Sequence, residues 1–342
     1  MTDVLSEIRG AAGFLTLNRP QALNALTLDM VRRLHAQLNV WRDDPAVSVV
    51  SIAGAGSRGL CAGGDIRALY ASAAEGGDFA RLFWREEYQL NAAIARYPKP
   101  VVAFMDGLVM GGGVGISAHA SHRVVTERTA LAMPETAIGF TPDVGGSYLL
   151  GKAPDGLGIR AALTAGRLGG AEAIRLKLAD QFVPSERLTA LSLALEGGDA
   201  ERAIAAFAER PPRIDQTHRD WVAGVYGAPA VEDIIDGLGD VASDDAQRDL
   251  AELRTKSPFA LKVTLESLRR ARKLSTLEEA LQQEYRIASA LLDAPDFREG
   301  VRAQIIDKDR NPKWRPATLD AVSGGDVERC FARRADEPVF AT

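Results

Sequence analysis

Between residues 12 and 150 the chain alternates short β-rich runs with stretches of helical spacing. AGFLTLN (12–18) and VSVVSIAGAG (47–56) read as strands. Between them Leu28, Val31, Leu34, Leu38 and Trp41 recur at helical intervals behind Thr27, a suitable N-cap. KPVVAFMDG (99–107) and HRVVTE (122–127) are two further strands, and MGGGVGIS (110–117) should open a helix. This alternation predicts an α/β fold with parallel pairing and right-handed crossovers. The order is not plain βαβ, because several strands follow one another with no room for a helix. After about residue 190 the text turns Ala-, Leu- and Glu-rich and mostly helical. PPRIDQTHRD (211–220) and GLGDVASDDA (237–246) read as loops, and Leu277, Leu281, Tyr285, Ala288 and Leu292 form one helical stripe. No repeat of fixed period and no low-complexity tract interrupts this pattern.

Composition narrows the class. The 342 residues are 46% hydrophobic and 25% charged, enough for a sizeable core in one large domain or two unequal ones. A net charge of −5 argues against nucleic acid or an anionic membrane as partner. Two cysteines, Cys61 and Cys330, are too few for a disulfide framework and suit a reducing compartment. The first twenty residues lack the basic-then-apolar order of a signal peptide, and no apolar run approaches the roughly 20 residues of a membrane span. A cytoplasmic protein is expected.

The candidate chemistry lies in glycine turns and acids. GSRGLCAGGD (56–65) and MGGGVG (110–115) each follow a strand and precede a helical pattern, where exposed amides favour negative charge. Two such turns suggest a pair of amides aimed at one oxygen, although glycines also serve merely to turn the chain. Neither spells a dinucleotide fingerprint. GSYLLGKA (146–153) mimics a P-loop but ends in Ala and reads as a helix face. His35, His119, His122 and His218 make no metal spacing, and no G-x-S-x-G elbow occurs. AMPETAIGFTPDVGG (132–146) holds Glu135 and Asp143 in otherwise apolar, Pro or Gly surroundings. A desolvated Glu135 would gain a raised pKa useful for proton transfer. On these residues alone, a surface glutamate and a turn-capping aspartate remain equally open. REEY (85–88) adds Glu86 and Glu87 on a helix, one of them expected in solvent.

Taken together, NRPQALNAL (18–26), CAGGDI (61–66), KPVVAFMDGLVMGGG (99–113) and AMPETAIG (132–139) resemble the crotonase, or enoyl-CoA hydratase/isomerase, superfamily. Within it, REEYQLN, PDVGGSYLL and DFREGVRAQIIDKDRNPKWRPATL (296–319) are similar to the 3-hydroxyisobutyryl-CoA hydrolase group. The resemblance implies a crotonase-like spiral of ββα units over residues 1–195 with an acyl-CoA site. A mostly helical C-terminal region over 196–342 would follow, with a possible homo-oligomer, trimer or hexamer. It implies an oxyanion hole from the Gly64 and Gly112 amides, and substrate contacts at Glu87, Gly112, Glu135 and Asp143. Arg19, Ala62, Gly64, Asp65 and Ile66 would touch coenzyme A, which belongs to the substrate; no other cofactor and no metal is implied. Where hydratases carry the first of two glutamates, this chain has Gly115, and Asp143 stands where they usually carry Gly. The resemblance therefore implies a thioester hydrolase of valine breakdown, with Glu135 as nucleophile or general base. An enoyl-CoA hydratase for short-chain enoyl-CoA and a non-catalytic acyl-CoA-binding protein are the alternatives.

Overall fold

In a computed structural model of the chain, residues 2–214 and 220–340 are described. They close into two compact units, each assembled from three chain segments. The first comprises Met1–Asp65, Glu86–Ala132 and Arg167–Ile214; the second Ile66–Arg85, Met133–Gly166 and Asp215–Thr342.

The first unit carries nine strands in two sheets. β1 (Val4–Arg9), β2 (Ala12–Leu17), β3 (Val49–Gly54), β5 (Val101–Met105), β7 (His122–Val125) and β9 (Gln181–Phe182) form a six-stranded sheet in that spatial order. β1 is antiparallel to β2, and every other pairing in it is parallel. β4 (Gly59–Cys61), β6 (Leu108–Met110) and β8 (Ala130–Ala132) make a second, parallel sheet. Strands therefore come in consecutive pairs, β3 then β4, β5 then β6, β7 then β8, each pair giving one strand to each sheet. This is the repeated ββ step that leaves no room for an intervening helix.

All four strands expected from patterning lie in the larger sheet. The second sheet escaped the pattern, because a strand of three residues completes barely one alternation and its glycines read as turns. β5 is buried along its whole length and β3 along most of it, which explains their unbroken apolar text. Phe14, Val49, Val102, Phe104 and Val124 pack in one cluster with Leu191, Leu195 and Ile204 from the helices that follow β9. α1 (Leu28–Arg42) starts where Thr27 accepts the Met30 N–H and buries Val31, Leu34, Leu38 and Trp41, as the spacing predicts.

The second unit is helical. Its helices include Pro258–Ala271, Leu277–Asp293 and the shorter Pro295–Val301. The helix Leu277–Asp293 begins at a capping box formed by Thr276 and Glu279 and buries Leu281, Tyr285, Ala288 and Leu292. One expectation needs correction: Gly237–Asp240 complete the helix Val231–Asp240, and Asp244 opens the helix Asp244–Leu253. The buried stripe Val231, Ile234 and Leu238 outweighs the low helix propensity of Gly237 and Gly239 there. Part of 211–220, including His218, lies outside the described residues. Among the described residues, no helix is long and apolar enough to cross a membrane.

Candidate active site

In the first unit the two glycine turns meet backbone to backbone. The segment 18–26 frames one of them. Buried Asn24 accepts the Arg19 N–H and donates to the carbonyls of Ala55 and Gly59, at 3.0, 3.0 and 3.1 Å. The Arg19 guanidinium donates to Ala25 O at 2.7 Å and pairs with Asp65 at 3.3 Å. Beyond β4 the turn is pinned by Ala62 N–H to Leu23 O, Leu26 N–H to Gly63 O and Asp65 N–H to Leu26 O. Beyond β6, the Gly111 N–H donates to Ala132 O and α4 (Gly112–Gly115) begins at once, with all four residues buried. The Gly64 and Gly112 amides donate in none of these bonds. A Cβ placed on Gly112 would stand 3.3 Å from Gly64 N and would meet Glu87 Oε1. Glu87 itself sits on α3 (Asp78–Ala95), 2% exposed, whereas neighbouring Glu86 pairs with Arg32 at 2.6 Å. The chain thus buries one of two adjacent glutamates beside the two glycine turns.

Cys61 lies under the same turn, and burial pushes its thiol up to about 12. It remains a neutral thiol at physiological pH and is no nucleophile. The approach of the turns depends on Gly113, where a Cβ would overlap Cys61 O. Gly113→Ala is expected to cost about 1–3 kcal/mol of stability, as overpacking does. It should also depress turnover by prising Gly112 from Gly64. Thermal melting with steady-state rates reads both, and a wild-type rate would show that the spacing of the turns is immaterial.

The second unit carries the other two acids. Glu135 opens a 3-10 turn, Glu135–Ile138, and is 6% exposed. The turn is held from several sides. Phe140 N–H donates to Glu135 O at 3.0 Å, Thr136 Oγ1 donates to Ala162 O at 3.2 Å, and Gly300 of the helix Pro295–Val301 abuts Ile138. Phe140 stacks on Trp84 at 5.2 Å and on Phe297 at 5.5 Å between ring centres. The segment 296–319 thereby supports the turn that carries Glu135. Asp296 anchors it, accepting from Ser257 Oγ at 2.5 Å and Arg315 N–H at 2.7 Å. Asp143, also 6% exposed, precedes α5 (Gly146–Gly151) in a turn closed by the Gly146 N–H to Asp143 O at 2.6 Å. A solvent-exposed Glu135 is thus ruled out, and GSYLLG is a helix.

One functional candidate was not foreseen. Glu284, fully buried on the helix Leu277–Asp293, accepts from Gly145 N–H at 2.7 Å, Ser147 N–H at 2.9 Å and Ser147 Oγ at 2.5 Å. Burial pushes its carboxyl up to about 8, helped by the charge of Asp143 and opposed by the three donors. In the sequence Gln283 and Glu284 look like the solvated edge of an amphipathic helix, so only the packing exposes the role.

Arg19, Ala62, Gly64, Asp65, Glu87 and Gly112 thus fall in the first unit, and Ile66, first residue of α2 (Ile66–Ala74), falls with Glu135 and Asp143 in the second. Among the described residues no group of three His, Cys, Asp or Glu side chains could hold a metal ion.

Known proteins share this chain over nearly all its length. A profile of the enoyl-CoA hydratase/isomerase family matches residues 12–331. The chain is 43% identical to the mitochondrial 3-hydroxyisobutyryl-CoA hydrolase of Homo sapiens, covering 96% of this chain and 88% of that one. Against the same enzyme of Danio rerio the identity is 41%, over 97% and 90%. A crystal structure described as a carnitinyl-CoA dehydratase from Mycobacterium thermoresistibile is 48% identical, with a TM-score of 0.97 and 99% of each chain covered. One described as an enoyl-CoA hydratase from Rhodobacter sphaeroides is 41% identical with a TM-score of 0.91, over 99% of this chain and 100% of that one.

Proposed function

The chain belongs to the enoyl-CoA hydratase/isomerase family, and we propose that within it the protein hydrolyses 3-hydroxyisobutyryl-CoA to 3-hydroxyisobutyrate and free coenzyme A, a step of valine breakdown. The observation that carries this reading is which positions of the chain hold a buried acid and which do not. Gly115 closes a four-residue, wholly buried helix and offers no carboxylate where a hydratase would place its first glutamate. Buried acids stand instead at Glu87, Glu135 and Asp143, the positions that the resemblance assigns to the substrate. The hydrolases among the relatives support the same reading.

In this mechanism the thioester carbonyl oxygen lies between the Gly64 and Gly112 N–H groups. As the carbonyl carbon becomes tetrahedral, those donors meet the growing negative charge; losing one such donor typically costs about 3 kcal/mol of transition-state stabilisation. Glu135 either attacks the carbonyl, forming a mixed anhydride that water then opens, or takes a proton from the attacking water. The C–S bond breaks in both routes, and the sulfur leaves as the coenzyme A thiol after protonation. Asp143 accepts the substrate's 3-hydroxyl, and Glu87 lines the acyl pocket beside Gly112. Arg19, through its pairing with Asp65, holds the segment 62–66 in place for the coenzyme. No metal or redox group takes part in this reading. A cytoplasmic enzyme and a trimeric or hexameric assembly belong to the same proposal. Two buried free cysteines support the reducing compartment, the cited relatives are mitochondrial, and cell fractionation and sedimentation test the two points.

A second reading, hydration of an enoyl-CoA or the reverse dehydration of a 3-hydroxyacyl-CoA, is favoured by the 48% identical structure, described as a dehydratase. Purified protein given 3-hydroxyisobutyryl-CoA and, in parallel, crotonyl-CoA separates the two. Rapid thiol release with negligible hydration supports the hydrolase, and hydration without thiol release overturns it. Asp143→Asn should lower kcat/KM about tenfold or more on 3-hydroxyacyl substrates, since a hydrogen bond to a charged group is worth about 1.5–3 kcal/mol. An unsubstituted acyl-CoA should suffer much less. Equal losses on the two would remove Asp143 from hydroxyl recognition.

A further inference from the structure

The turn that carries Asp143 is bent in a way its own residues resist. Val144, a β-branched residue, has φ +52°, and Gly145 follows at +81°, so two consecutive positions occupy left-handed backbone. Such a conformation persists only where surrounding contacts over-determine it. Besides the Gly146 N–H to Asp143 O bond, three hydrogen bonds to the turn come from one side chain. All three hydrogen bonds of Glu284 go to residues 145 and 147, two and four positions beyond Asp143. Its helix is itself tied down, because the neighbouring Gln283 donates to Ser267 O at 3.1 Å and Ser267 Oγ at 3.3 Å on the helix Pro258–Ala271. A buried acidic group is costly unless satisfied, and this one is satisfied entirely by the Asp143 turn.

We propose that Glu284 is the positioning residue for Asp143: by gathering the Gly145 and Ser147 donors it holds the strained turn that sets the direction of the Asp143 carboxylate. Specificity for a 3-hydroxyl is therefore shared between two acids, one that meets the substrate and one behind it. The inference rests on the reading above in which Asp143 accepts that hydroxyl. It also accounts for a buried carboxyl in an otherwise apolar helix stripe.

The test is the ratio of kcat/KM on 3-hydroxyisobutyryl-CoA to that on isobutyryl-CoA, a quantity that general loosening of the fold would not move. Glu284→Ala, which removes the acceptor of all three donors, should lower the ratio about tenfold, the worth of a hydrogen bond to a charged group. Glu284→Gln keeps one acceptor oxygen and should recover part of the loss. Ser147→Ala deletes a single donor, should shift the ratio in the same direction by less, and carries the test if Glu284→Ala does not fold. The double variant Asp143→Asn/Glu284→Ala should have a ratio no lower than Asp143→Asn alone, because the two act through one contact. Equal losses on both substrates, an unchanged ratio, or additive effects in the double variant would overturn the inference. If Asp143→Asn lowers the ratio while the Glu284 and Ser147 variants leave it intact, only this inference fails. If Asp143→Asn itself leaves the ratio unchanged, the hydroxyl-reading role fails and takes the inference with it.

Discussion

Glu135→Gln is expected to cut thiol release from 3-hydroxyisobutyryl-CoA by about a thousandfold or more, the scale on which enzymes lose rate when a nucleophile or general base is removed. The substitution keeps the shape of the side chain and can keep hydrogen bonds. The 3-10 turn, pinned through Thr136, Phe140 and Gly300, should survive it. What disappears is the carboxylate, the one feature that can attack a carbonyl or take a proton from water. Binding of a non-hydrolysable thioether analogue should stay within a few-fold of wild type, since the Gly64 and Gly112 amides and the Arg19–Asp65 pair are untouched. Stopped-flow thiol detection and calorimetric titration together read the split between chemistry and binding. A loss of only a few-fold would remove Glu135 from the reaction and return attention to Glu87. Single turnover of the wild type in labelled water adds the mechanism: label in the Glu135 carboxyl marks the anhydride route, because a general base never exchanges its own oxygens.

Gly300→Ala should be as damaging from a position with no chemistry of its own. A Cβ there would stand 2.5 Å from both the Cα and the carbonyl oxygen of Ile138, the last residue of the turn that Glu135 opens. Backbone cannot step aside as a flexible side chain can, so the helix Pro295–Val301 or the Glu135 turn must shift. Overpacking of this kind costs about 1–3 kcal/mol, and a melting temperature lower by about 5 °C is the expected reading. The rate should fall by more than the melt implies, because the shift acts on the turn that presents Glu135. Gly239→Ala is the control. Its Cβ would meet nothing within 4 Å inside the helix Val231–Asp240, and the gain in helix propensity should leave stability unchanged or raise it by about 1 kcal/mol. A Gly300→Ala protein with wild-type melting and rate would show that the turn takes its position from elsewhere.

The linear text already determined a good deal. Runs with β-branched, buried text marked β2, β3, β5 and β7, and period-3.6 stripes marked Leu28–Arg42, behind its cap Thr27, and Leu277–Asp293. Those signals are local: a strand or helix long enough to complete its period writes its burial into its own residues. The motif text also singled out the glycine turns 56–65 and 110–115, Glu135 and Asp143, because glycines at strand ends and acids among apolar residues are unusual wherever they occur, and the family resemblance narrowed the turns to Gly64 and Gly112. Only the tertiary structure decided the rest. The sheet of β4, β6 and β8 consists of three-residue strands whose pairing depends on partners some twenty to fifty residues away. The same holds for the helices Leu188–Ala194 and Ala200–Ala205, which join the first unit through Leu191 and Ile204 although their text resembles the helical half of the chain. Glu86 and Glu87 are identical side chains one residue apart. Helix rotation sends one to Arg32 and buries the other beside Gly112. Glu284 is the clearest case. A glutamate on a helix reads as solvated in any one-dimensional pattern, and its burial is set by a turn some 140 residues earlier whose three donors it accepts. Periodicity records which face of an element is apolar; the identity of the group that meets a buried charge is a long-range fact, settled when the chain closes on itself.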